Sequence, residues 1–317
     1  MRATRHAMTF VMTCLVVIVL LNVTPSGQTP GGQAGPAEGE TLSQSYRGSQ
    51  SKNVEYQKIP PFKVFDNLYY VGPGSVSVWL IPTNQGIILI DSAQEPYVDH
   101  VIDSIRKVGF DPKNIRYILL THGHLDHFGG AARIQELSGA RVATLEEDWQ
   151  LIEAAGNNPG RGGNPPPRAP KRDMVIKEGD TVTLGNTSLK VTKLPGHTVG
   201  SPSFEFTVYD GGKPHKAFVF GGPGPRNGVQ GGEQFLASMN RIAAEQLDVE
   251  VAVNVHSWLT SYPYPNGAIF ERAQKLAQRK PGEPHPFVDN ATWRMWVKQA
   301  QAGAVKFLAD EKAKAAK

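Results

Sequence analysis

The feature that most narrows what this chain can become is a short stretch where metal-binding side chains crowd the end of an apolar run. Ile115 to Leu120 (IRYILL) reads as a buried strand. It passes directly into Thr121 to His127 (THGHLDH), and Gly129 and Gly130 then open a helix. In an extended segment alternate side chains point the same way, so His122 and His124 converge on one point. Asp126 and His127 are neighbours at the turn into the helix and are expected to diverge, so that one of them faces a second point. Imidazole and carboxylate are the donors that hold zinc where no thiolate is present.

Two more histidines sit in comparable places. His197 lies in LPGHTVGS (Leu194 to Ser201), a Pro-Gly turn after the run Leu189 to Lys193. His256 lies in VNVHSW (Val253 to Trp258), after the largely apolar run Val249 to Val253. Both are at strand ends, where loops carry function. The six residues make two sets: His122, His124 and His197 for one metal, and Asp126, His127 and His256 for the other. His6, His100, His215 and His285 fall in the leader, a helix or polar loops and receive no role.

The remaining sequence is read as the scaffold for that cluster. Residues 1–27 have the form of a signal peptide: Arg2 and Arg5 precede the apolar run Met8 to Val23, which ends abruptly at Thr24-Pro25-Ser26-Gly27. Left uncleaved, this leader would be the chain's only membrane contact. It carries the single cysteine, Cys14, so the exported protein has neither disulfide nor thiolate ligand. Its removal takes the formal charge from +4 to +2, and no Lys/Arg run with interleaved aromatics points to nucleic acid. Residues 28–55, rich in Gly, Gln, Ser and Pro, are expected to be a flexible linker that cannot repay its ordering entropy. The folded domain is placed at 56–317.

Within that domain, Leu68 to Val71, Val76 to Ile81 and Ile87 to Ile90 read as strands and Glu95 to Val108 as an amphipathic helix. Ile115 to Leu120 completes a β-β-β-α-β opening. Helices near Ala131 to Leu137 and Glu146 to Ala154 flank a short strand at Arg141 to Ala143, and five strands follow between Met174 and Phe220. The end is helical, with Trp293, Trp296, Val297, Ala300, Val305 and Leu308 forming one apolar stripe. Gly156 to Arg172 (GNNPGRGGNPPPRAPKR) resists regular structure and reads as a lid, a binding loop or an insertion.

With THGHLDH, LPGHT and the later His256 in place, the sequence resembles the metallo-β-lactamase fold superfamily over nearly all of Phe62 to Trp258. NLYYVG (Asn67 to Gly72), GIILIDS (Gly86 to Ser92) and GHTVGS (Gly196 to Ser201) make it most similar to the third, cysteine-free subclass of metallo-β-lactamases. The resemblance implies an α+β fold, an αββα sandwich of two mixed sheets flanked by helices, with two Zn²⁺ at one edge of the sheets. It also implies that Asp91 is buried behind the metal loop and holds it. The sequence departs from many relatives at Phe218 to Asn227 (FVFGGPGPRN). Glyoxalase-type hydrolases, lactonases and tRNA-processing nucleases carry a metal-bridging aspartate there, and this window has none. His124 stands where the di-iron flavoproteins have Glu. Cysteine-free lactamases often place Ser or Thr in the window, and this chain has Pro223, Arg226 and Asn227 instead.

Two Zn²⁺ held by five neutral imidazoles and one aspartate carry a net charge of +3, enough to bring the pKa of a shared water from about 15.7 to about 7. The expectation is a secreted or periplasmic monomer in which a zinc-bound hydroxide opens the ring of a small, anionic β-lactam. Asp126 is the catalytic residue, and Arg226 and Asn227 are the substrate contacts. The alternatives are a zinc hydrolase of another ester, lactone or amide, and a non-catalytic exported binding protein of the same fold. Trp258, Tyr262, Tyr264, Tyr70 and Trp79 either line the pocket mouth or pack.

Overall fold

The computed structural model describes residues 35–158, 165–257 and 268–316. Residues 1–27, and Trp258, Tyr262 and Tyr264, lie outside them. Alternation within the strands decides the layering. In β4 (Gly86–Ile90), Ile88 and Ile90 face one buried cluster, and Ile87 and Leu89 face another on the opposite side. In β11 (Lys213–Val219), Ala217 and Val219 share the first cluster, while Phe218 faces a third. Strands buried on both faces read as continuous apolar runs, and here they are the two inner layers of four.

The first sheet runs β1 (Phe62–Phe65), β2 (Leu68–Tyr70), β3 (Trp79–Thr83), β4, β5 (Ile115–Leu119), β6 (Arg141–Leu145) and β7 (Met174–Ile176), antiparallel up to β4 and parallel beyond it. The second runs β12 (Val251–Val253), β11, β10 (Pro202–Asp210), β9 (Thr187–Lys193) and β8 (Thr181–Leu184), antiparallel except for the β11–β12 pair. Helices α3 (Val98–Lys107), α5 (Ala131–Ser138) and α6 (Glu146–Asn157) cover the first sheet, and α7 (Gly228–Glu245) and α9 (Asn290–Ala315) the second. This is the expected αββα sandwich. Each large apolar side chain it fully buries, Phe204 between the sheets or Trp149 beneath α6, contributes about 1.5–3 kcal/mol.

Several expectations need correction. From residue 35 onward, the segment read as a linker is folded. It forms α1 (Leu42–Ser45) and α2 (Val54–Gln57), and α1 packs on α8 (Ile269–Ala277). Few apolar residues suffice because two are aromatic anchors: Tyr46 lies 5.0 Å from Tyr56 and 4.7 Å from Phe270, centroid to centroid. Polar side chains tie the rest down. Gln57 Nε2 donates to the carbonyls of Tyr46 and Gln50, and Ser43 donates through N and Oγ to Glu271. The third strand begins at Trp79 rather than Val76, and β1 adds a strand the pattern did not reveal. Val305 leaves the α9 stripe at 55% exposed, because Ala304, four residues after Ala300, takes the buried position and the next residue rotates about 100° away. Tyr70 and Trp79 are core residues, bonded to the carbonyls of Pro73 and Asn254. His215 is a buried strand residue rather than a loop one, and His285, in the loop before α9 as expected, is buried and stacks on Phe65. Gly156 and Asn157 belong to α6. Residues 165–172 run without regular structure, with Lys171 bonded to Gln135 and Arg172 paired with Glu146. Among the described residues no helix is long and apolar enough to cross a membrane.

Candidate metal centre

Six strands deliver their following residues to one edge of the sandwich. β4 leads to Asp91, β5 to Thr121–His127, β6 to Asp148 in the first turn of α6, β9 to His197, β11 to Gly221–Asn227 and β12 to His256. Loops beyond the carboxyl ends of parallel strands are where α/β sheets gather function. His122, His127, His197 and His256 are buried there. His124 is half-buried, and the Asp126 side chain is 37% exposed, which opens the cluster to solvent.

The structure brings the six residues together as two sets. One ligand atom from each of His122, His124 and His197 lies within 4.8 Å of the others, and the same holds for Asp126, His127 and His256. The rings of His122 and His127 are 3.9 Å apart, so the sets adjoin. His122 and His124 converge as expected, His124 from extended backbone (φ −85°, ψ 147°) and His122 from the bend at 121–123. Asp126 and His127 do not diverge as the extended reading required. They sit in a helical turn, α4 (Leu125–Phe128), where neighbours differ by about 100° rather than 180°, so both side chains reach one point. Asp126 Oδ2 is 3.5 Å from His127 Nε2 and 3.8 Å from His256 Nε2.

The hydrogen bonds around the rings fit a divalent metal in each set. His122 Nδ1 donates to the Gly221 carbonyl at 2.7 Å, His197 Nδ1 to Gly224 at 3.0 Å and His256 Nδ1 to Ser75 at 3.0 Å. His127 Nδ1 donates to Asp91 Oδ2 at 2.8 Å. A carbonyl or carboxylate on Nδ1 fixes the proton there and leaves Nε2 as a lone pair, the arrangement second partners impose on metal-binding histidines. His122 Nε2 is buried with no partner among the described residues, and the Nε2 atoms of His127 and His256 face each other at 3.3 Å. Two opposed lone pairs are repulsive unless a cation lies beside them.

The supporting residues were mostly invisible in the sequence. Asp91 is fully buried and accepts from Thr121 N (2.8 Å) and Thr121 Oγ1 (2.7 Å) as well as from His127, so it clamps the start of the histidine loop. Asp148, which looks like an ordinary first-turn helix acid, is buried. It accepts from Gly123 N (2.9 Å) and Ser201 N (2.8 Å), binding the loop of His122 to that of His197. Burial pushes its carboxyl up to about 6, against hydrogen bonds from Thr198, Gly123 and Ser201. The window that lacked a carboxylate supplies carbonyls instead, from Gly221 and Gly224. Gly221 is required there because a Cβ would lie 2.0 Å from the Pro202 carbonyl oxygen and 2.8 Å from that of Thr121. Arg226 is exposed and ties its own N–H to the Gly196 carbonyl beside His197. Asn227 is exposed and caps α7 from the left-handed region (φ 64°) without a side-chain cap bond.

Charge follows from this burial. Burial lowers His122 well below the ordinary imidazole value and, with neighbouring imidazoles, brings His124 to about 4 and His197 to about 3. His256 is lowered by burial and by the charges of Arg47 and His127. His127 moves the other way: burial opposes its charge, but Asp126 and Asp91 outweigh it. For Asp126 burial alone would raise the carboxyl, yet His127, His256 and Arg47 hold it down at about 2. Four imidazoles therefore bind protons more weakly folded than unfolded. As pH falls below about 6.5 the unfolded chain takes up protons that the fold refuses, so stability is lost from there downward, past about 4 for His124 and about 3 for His197. Metal-free protein is expected to melt at progressively lower temperature across that window. A flat or rising melting curve there would contradict the burial of these rings.

Over residues 71–210 the chain matches the family profile described as the metallo-beta-lactamase superfamily. Curated relatives include a hydroxyacylglutathione hydrolase of Cereibacter sphaeroides, 38% identical over 89 residues, and one of Pseudomonas putida, 37% identical over 87. These matches cover 28% and 27% of this chain and only 28% and 26% of the relatives' own lengths. Among solved structures, the subclass B3 metallo-β-lactamase BJP-1 of Bradyrhizobium japonicum aligns with TM-score 0.69 and 30% identity, over 82% of this chain and 98% of that one. Native FEZ-1 metallo-β-lactamase from Legionella gormanii aligns with TM-score 0.69 and 25% identity, over 80% and 97%.

Proposed function

Because this chain belongs to the metallo-β-lactamase superfamily, whose solved B3 members it matches over almost their whole length, we propose that it is an exported two-zinc hydrolase that opens β-lactam rings. The observation that carries the reading is the paired ligand sets with a single carboxylate between them, five imidazoles and Asp126. Zinc bound there would polarise a carbonyl and make water a nucleophile near neutral pH. The chain's own groups do the rest. The Nδ1 partners keep the lone pairs of four rings, those of His122, His127, His197 and His256, turned inward. Asp91 and Asp148 fix the loops, and Asp126, charged and half exposed, orients the water. With one carboxylate for two dications the site stays strongly positive, which favours an anionic substrate such as a carboxylated lactam. Arg226 and Asn227, both exposed next to the loop of His197, are the contacts we assign to it. The leader-like residues 1–27 support export.

The resemblance to hydroxyacylglutathione hydrolases supports a second reading, hydrolysis of a thioester. It rests on matches to 28% and 35% of the chain, and no acid lies between Asp210 and Glu233 to bridge the metals. Metal analysis and a substrate panel separate the two. The full chain is expected to hold two zinc equivalents and to hydrolyse a penicillin, a cephalosporin or a carbapenem faster than a glutathione thioester or a lactone. Activity should vanish after prolonged chelation, return with zinc, and decline with zinc content below about pH 6 as protons compete for the imidazoles. Full activity in the chelated protein, or preference for the thioester, would overturn the reading.

A further inference from the structure

We propose that the N-terminal arm is a wall of the site and that Arg47 on it acts with Arg226 to bind the carboxylate of an anionic substrate. The substrate's identity rests on the proposed function, but the anion site does not. The arm grips both chain segments that place His256. The Tyr46 ring occupies the space a Cβ on Gly74 would need (1.9 Å), Gly74 N donates to the Gln57 carbonyl at 2.8 Å, and Ser257 Oγ donates to the Ser43 carbonyl at 3.2 Å. Arg47, next to the Tyr46 anchor, reaches to 3.5 Å from the Ser75 carbonyl, the one that also accepts from His256 Nδ1. Its guanidinium is thus one carbonyl away from the second ligand set, and its charge is felt at Asp126, His127 and His256. Arg226, whose N–H donates to the Gly196 carbonyl beside His197 at 2.8 Å, is close enough for its charge to act on His124 and His197 and on Arg47 itself.

Two exposed guanidiniums that repel each other across a cationic centre need an anion. Among the described residues neither forms an ion pair with a carboxylate, and the undescribed segments contain no Asp or Glu. Guanidinium forks bind carboxylates in just such settings. Leu125 and Val199, 42% and 46% exposed in the loops of His124 and His197, add apolar shoulders, so the fitting ligand is an acid with an apolar body.

The test titrates the zinc-loaded full chain, and its Arg47→Gln and Arg226→Gln variants, with 4-phenylbutyrate and with the neutral 4-phenylbutanamide at low and high salt. Each variant is expected to bind the acid about tenfold more weakly with a shallower salt dependence, and to bind the amide unchanged. Undiminished affinity of Arg47→Gln for the acid would overturn the proposal. Equal weakening for acid and amide would do the same, since it would reduce Arg47 to a prop for the wall. On a carboxylated cephalosporin, Arg47→Gln should raise KM about tenfold with kcat within about twofold, and should leave the methyl ester untouched. A wild-type chain that binds the acid but opens no lactam would sink the proposed function and leave the anion site standing.

Discussion

Asp126→Ala is expected to hold one zinc equivalent rather than two and to lose well over a hundredfold in turnover. Asp126 is the only carboxylate in either ligand set, so its removal leaves His127 and His256 alone to hold a dication beside a second one. Changes to groups that merely hydrogen-bond a ligand cost about 10–100-fold in metal affinity or activity. Loss of the ligand itself, and of the sole negative charge, must exceed that. The fold should be spared, because the side chain is 37% exposed and its contacts are with the two imidazoles. Near-UV circular dichroism should therefore match the parent while metal content halves. Two tightly bound equivalents in the variant would show that the second site is not where Asp126, His127 and His256 meet.

What the sequence made legible was local and periodic. The strand Ile115 to Leu120 and the three histidines and one aspartate packed within six residues after it are a single contiguous signal. The sheets could be read because central strands such as β4 bury both faces and edge-side strands such as β9 alternate buried and exposed residues. Of the partners behind the rings only Asp91 could be read, through the resemblance, for a physical reason: three of the four Nδ1 acceptors are backbone carbonyls, which have no side-chain signature. Ser75 lies 181 residues from the histidine it orients, and Gly221 lies 99 from His122. The arm was missed because composition averages over a segment, whereas its order rests on two tyrosines and a handful of polar contacts. The expected divergence of Asp126 and His127 failed for a narrower reason. The helical turn that carries them, Leu125–Phe128, is only four residues long, and a period argument needs more residues than that to register.

Asp91→Asn and Asp91→Ala should fail in different ways, and the difference tests how the site is held. Asp91 is fully buried at φ 61°, in the left-handed region that Asn tolerates and Ala enters only at a cost of about 1 kcal/mol. Alanine also abandons three buried donors, Thr121 N, Thr121 Oγ1 and His127 Nδ1, at about 1–3 kcal/mol each when unpaired. That variant is expected to lose several kcal/mol and to express poorly. Asparagine keeps an oxygen for Thr121 N and so turns its amide NH₂ toward His127 Nδ1. Nδ1 must then accept, and the ring proton moves to Nε2, the atom that faces Asp126 and His256. Asp91→Asn should therefore fold, melt within a few degrees of the parent, and bind its second zinc about 10–100-fold more weakly. Nitrogen-resolved NMR of the metal-free protein should place the His127 proton on Nδ1 in the parent and on Nε2 in the variant. If the tautomer stays on Nδ1, or zinc binds the variant as tightly as the parent, the carboxylate of Asp91 is not what aims His127.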